Sequence, residues 1–87
     1  MSEEGLERLR EQVSAADRAI VEALNRRIEL VAQIRRYKEK HGLEFLDPGR
    51  EARMFEELRS ANTGPLSDDG LERLLREVLD LSKRETA

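Results

Sequence analysis

Apolar residues recur at helical spacing from Leu6 through Leu9, Val13, Ala16, Ile20, Leu24, Leu30, Val31 and Ile34 to Tyr37, with no glycine or proline between Leu6 and Gly42. That period is helical, and it predicts one long helix over roughly residues 4–40. In "HGLEF", Gly42 stands where a helix stops. In "DPGRE", Asp47 suits an N-cap, Pro48 the first helical position and Glu51 the first turn, so a second helix is expected over about 48–61, with Met54, Phe55 and Leu58 on its apolar face. "NTGPLSDDG" is a second break, after which Ser67 caps a third helix over about 67–85 whose stripe is Leu71, Leu74, Leu75, Val78, Leu79 and Leu81. No strand-like alternation or internal repeat interrupts this pattern, so the expectation is an all-α chain of one long and two shorter helices.

Length turns that pattern into an expectation about assembly. The 87 residues form a single domain spanning 1–87. A helix of about 35 residues is about 52 Å long, whereas a compact domain of this size has a radius of gyration near about 12 Å. The far end of the first helix therefore lacks apolar cover from its own chain. The same surface on a second copy would supply it, which predicts an intertwined two-fold homodimer.

Composition narrows the class. Charged residues make up 40% and aromatic residues 3% of the chain, with no Cys and no Trp, which suits a charge-laced helical protein and excludes a disulfide scaffold. The acidic start "MSEEGLERLR" does not resemble a secretory signal and no apolar run is long enough to span a membrane, so the expected location is cytoplasmic with no membrane partner. A net charge of −3 with both signs interspersed argues against nucleic acid as a partner. Any anion site must then be local.

One position breaks the long helix's apolar seam. On a seven-residue count one row reads Leu6, Val13, Ile20, Arg27, Ile34 and the other Leu9, Ala16, Ala23, Leu30, Tyr37, so Arg27 alone is charged. Burying an unpaired guanidinium costs several kcal/mol, and the position calls for a carboxylate, a water-filled gap or a bound anion. Lys38, three helical turns further on, points to nearly the same side, and the two cations bracket a space over Val31 and Ile34 sized for a small anion. Arg10 lies too far along the helix and too far round it to join them from the same chain; in an antiparallel dimer it could arrive from the partner subunit. Each residue also has a plainer reading. Arg27 could snorkel to water, Lys38 and Arg10 could be solvated, Asp47 could be only a cap, and Ser82 could bond back to its own helix.

Taken together, "LREQVSAADRAIVEALNRR", "VAQIRRYK", "LDPGRE" and "VLDLSKRE" resemble the all-helical (class II) chorismate mutase family from about Leu6 to Thr86. The resemblance implies an intertwined homodimer with two sites, each completed by an arginine of the other protomer. Carried over by residue, it implies that Arg27 binds one substrate carboxylate and Arg10 of the partner subunit the other, and that Lys38 donates to the ether oxygen of the breaking bond. It further implies that Asp47 and Glu51 hold the ring hydroxyl, that Arg50 supports this end, and that Ser82 assists carboxylate binding, with Val31 and Ile34 as walls. Where the family usually carries Gln or Glu as a second donor to the ether oxygen, this chain has Thr86, preceded by Glu85.

The implied reaction, chorismate to prephenate, is unimolecular and pericyclic, so it calls for no metal, nucleophile or cofactor. It needs a clamped chair-like dianion and fixed positive charge at the ether oxygen. Two other activities stay open within the resemblance: a chorismate- or prephenate-binding regulatory domain, with possible docking to another aromatic-biosynthesis enzyme, and an isochorismate pyruvate-lyase-like elimination. Outside it, a non-catalytic helical dimerisation module would use Arg27 only to fix register.

Overall fold

The computed structural model describes residues 3–87. The chain folds as α1 (Glu3–Lys40), α2 (Pro48–Ala61) and α3 (Asp68–Glu85), with no strand among the described residues. Each break has a local cause. Gly42 has φ +66°, and the amides of Leu43 and Gly42 donate to the carbonyls of Lys38 (2.8 Å) and Glu39 (3.4 Å). This is a Schellman stop, built on the left-handed conformation that glycine adopts without strain. Asp47 caps α2 through a carboxylate that accepts from the Arg50 amide (3.1 Å), with Pro48 in the first turn. Ser67 caps α3 by accepting from the Gly70 amide (3.0 Å).

The long helix dominates the shape. Its 38 residues correspond to about 57 Å, and the molecule measures 60 × 23 × 17 Å with a radius of gyration of 16.9 Å. That radius exceeds the value of about 12 Å for a compact chain of this length.

Helix α3 lies against both α1 and α2. Its buried residues Leu71, Leu75 and Ser82 share one helical face, and the two leucines are the buried hydrophobic residues of the described chain. None of the described residues of α1 or α2 is buried. Along α1, the side chains with cover lie almost entirely in the second half: Leu24, Arg27, Ile28, Val31, Ala32, Arg35 and Lys38 are half-buried. In the first half, Val13 and Ile20 are 60% and 57% exposed. The stretch of α1 that has cover is the one that carries Arg27, which meets Ser82 of α3, and Lys38, which meets Phe45 of the connection.

Candidate active site

The covered half of α1, the connection after it, α2 and the end of α3 enclose a cleft of about 140 Å³, room for several waters or one small organic molecule. Helix α1 contributes Arg27, Val31, Ile34 and Lys38; the connection contributes Phe45, Leu46 and Asp47; α2 contributes Arg50, Glu51 and Met54; α3 contributes Leu79, Ser82 and Lys83. Four cationic and two acidic side chains line it, an excess of two positive charges in a chain whose net charge is −3.

Arg27 is the hinge of this arrangement. Its Nη1 donates to Ser82 Oγ at 2.5 Å and its Nη2 to Met54 Sδ at 3.7 Å, so one guanidinium joins α1 to α3 and α2. Ser82 is 3% exposed, and its hydroxyl donates to the Val78 carbonyl (2.8 Å) while accepting from Arg27. The back-bond expected of a mid-helix serine and a contact to the seam arginine therefore occur together; the first aims the oxygen lone pairs at the second. Neither partner of Arg27 is anionic, and no described carboxylate forms an ion pair with it. Three of its five N–H donors are left for another acceptor.

Lys38 is fixed from both ends. Its carbonyl accepts the Schellman bond from Leu43, and its Nζ donates to the Phe45 carbonyl at 3.0 Å. Two ammonium protons remain free to donate. The connection that Lys38 grips is held down by Arg35, whose guanidinium stacks 3.9 Å from the Phe45 ring centroid, at the close end of cation–π range. The residue whose carbonyl closes the helix stop is thus also the one whose ammonium lines the cleft.

Both carboxylates that line the cleft are already engaged. Asp47 Oδ1 accepts from the Arg50 amide, and Oδ2 lies 4.0 Å from Arg53 Nη2. Glu51 Oε1 pairs with Lys83 Nζ at 3.1 Å. Among the described residues, no group of three or more His, Cys, Asp or Glu side chains is placed to hold a metal ion.

Of the residues singled out from sequence, the cleft brings together Arg27, Lys38, Asp47, Arg50, Glu51, Ser82, Val31 and Ile34. Two stand outside it. Arg10 is exposed on the bare half of α1 and pairs with Glu7 at 3.0 Å. Thr86 is the C-cap of α3, and its hydroxyl donates to the Ser82 carbonyl at 2.7 Å, so this short side chain is turned to its own helix end rather than to the cleft. Thr86, which stands where the family usually carries Gln or Glu, is thus not among the residues that line the cleft. Sequence reasoning did not place Lys83, Phe45, Leu46, Met54 or Leu79 at the site. Met54 and Leu79 were legible only as apolar stripe, and Lys83 only as a charge near a helix end.

The family profile described as chorismate mutase type II matches residues 9–87. The chain belongs to that family. It is 34% identical over 79 residues to the T-protein of Haemophilus influenzae (85% of this chain, 21% of that protein) and 36% identical over 74 residues to the T-protein of Enterobacter agglomerans (79% and 20%). The chain thus spans about a fifth of the length of these relatives. It is also 42% identical over 45 residues to the 4-amino-4-deoxychorismate mutase of Streptomyces venezuelae, covering 52% of this chain and 44% of that one. Among solved structures, two forms of chorismate mutase from Thermus thermophilus superpose with TM-scores of 0.84 and 0.86 at 34% and 33% identity. The first match covers 88% of this chain and 96% of the other, the second 91% and 90%. No helix of the described residues is long and apolar enough to cross a membrane.

Proposed function

We propose that this chain is a chorismate mutase that rearranges chorismate to prephenate, working as a homodimer in which each cleft is completed by Arg10 of the partner subunit. The observation that carries this reading is Arg27: a guanidinium set in an apolar seam, held by a hydroxyl and a thioether and by no carboxylate. Such a charge is tolerated where an anion comes to rest on it, and the cleft's excess of two positive charges matches a dicarboxylate.

In this reading Arg27, steadied by Ser82, takes one carboxylate, and the partner subunit's Arg10 takes the other. Together they hold the compact conformer in which the new C–C bond can form as the ether C–O bond breaks. Lys38 supplies an N–H to the ether oxygen as negative charge develops there, an interaction that strengthens in the transition state. Its attachment to Phe45 fixes its position before substrate arrives. Asp47 and Glu51, with Arg50 beside them, receive the ring substituent, and Val31 and Ile34 line the apolar wall. No proton changes hands and no covalent intermediate forms, so the chain's task is orientation and electrostatics.

Bare apolar side chains on the first half of α1, among them Leu6, Leu9, Val13 and Ile20, supply the dimer surface this reading requires. The experiment is direct. Purified protein mixed with chorismate loses the diene absorbance and yields prephenate; flat absorbance at high protein concentration refutes the catalytic reading. Tight prephenate binding in that inactive sample would instead mark a regulatory domain.

A further inference from the structure

We propose that Lys83 sets which ring substituent the cleft accepts: by holding Glu51 in an ion pair, it makes that wall receive an uncharged hydroxyl and reject an ammonium. This rests on the reading of the cleft as a mutase site with its Asp47 and Glu51 wall facing the ring substituent. Lys83 belongs to the cleft lining, on α3, and reaches across to Glu51 on α2.

The argument is one of charge matching at a single wall. Asp47 has one oxygen on the Arg50 amide and the other near Arg53. Glu51 has Oε1 on the Lys83 ammonium at 3.1 Å. The Glu51 charge is paired at contact distance and the Asp47 charge has Arg53 4.0 Å away, yet Glu51 Oε2 can still accept a hydrogen bond. A hydroxyl donates to such an oxygen at no electrostatic penalty. An aliphatic amine in the same place carries a proton at neutral pH, and it would sit beside Lys83 and Arg50 with the Glu51 charge already paired. Without Lys83 the Glu51 carboxylate would be unpaired and would favour the amine. Lys83 acts through Glu51 and is a positioning residue that determines specificity.

The test compares kcat/KM for chorismate and for 4-amino-4-deoxychorismate in the wild-type protein and in Lys83→Met, with Lys83→Arg as the conservative variant. Wild type should prefer the hydroxyl compound. Lys83→Met should move the ratio towards the amine by roughly threefold to fivefold, the upper end of the scale of a partly exposed charge interaction, and Lys83→Arg should restore it. In a Glu51→Gln background the Lys83→Met change should no longer move the ratio. The ion pair is 40% and 36% exposed at its two side chains, so methionine has room; should that variant fail to fold, Lys83→Gln carries the same comparison. A ratio within twofold of wild type in a variant that still rearranges chorismate overturns the role of Lys83 alone, and so does a wild-type protein that prefers the amine. A wild-type protein that converts neither compound overturns the mutase reading and this inference with it.

Discussion

The two halves of α1 carry the same apolar period and end up in different surroundings. After Ala23 one face is half-buried and presents Arg27 and Lys38 to a cleft, while Val13 and Ile20 in the first half remain more than half exposed. A helix of this length, 38 residues, cannot bury both halves against a chain with only two further short helices. Periodicity therefore fixes which face is apolar but not what covers it. The covered half accommodates a cation in its seam because Ser82 and Met54 meet it; the bare half carries only apolar residues in the corresponding rows, as a surface meant for a like partner would.

The sharpest way to separate the halves is to remove one function from each. Lys38→Ala, in the covered half, should lower kcat for chorismate by about 10²- to 10³-fold, the usual loss for one donor to a developing oxyanion, while leaving the dimer mass unchanged in sedimentation. Arg10→Ala, in the bare half, should act mainly on KM. Mixing the two variants under subunit exchange should regenerate one intact cleft per heterodimer and raise turnover at low substrate above that of either variant alone, and no recovery after confirmed exchange would break the assignment of Arg10 to the partner's site.

A comparable effect, on assembly, is expected at the seam itself. Ile20→Asp places a charge where the second copy should lie, at a cost of about 3 kcal/mol or more. It should shift the protein towards monomer in sedimentation and reduce turnover with it. An Ile20→Asp protein that stays dimeric would show that the bare half is not the dimer surface. A smaller effect is expected of Gly42→Ala. No atom lies within 4 Å of the added Cβ, so only the φ of +66° resists it, and the expected loss is about 1 kcal/mol, read as a lower midpoint in urea. The Lys38 carbonyl accepts from Leu43, the residue after Gly42, so a fall in kcat beyond the stability change would show that this stop helps to aim the lysine.

How much of this was legible beforehand follows from the kind of signal each residue carries. The helix stops were legible because Gly42, Asp47 and Ser67 act locally, each within four residues of the bond it makes. Arg27 was legible because a charge in an apolar row is an anomaly, and Lys38 because eleven residues return to nearly the same helical side. Lys83 was not, since a lysine near a helix end ordinarily reads as solvated and its partner Glu51 lies on another helix. Phe45 and Leu46 sit in irregular chain, where no period tells inside from outside. For Thr86 the sequence shows only a short side chain at a helix end; that its hydroxyl bonds the Ser82 carbonyl four residues back is visible only in the structure.

The central claim is that cations in the interhelical seam hold a dianion. A crystal structure of the protein with prephenate tests it most directly. The account predicts one carboxylate on Arg27 beside Ser82, the other on Arg10 of the partner subunit, and Lys38 Nζ on the side of the cleft where the ether bond was broken. Prephenate bound elsewhere, with Arg27 still held only by Ser82 and Met54, would contradict it.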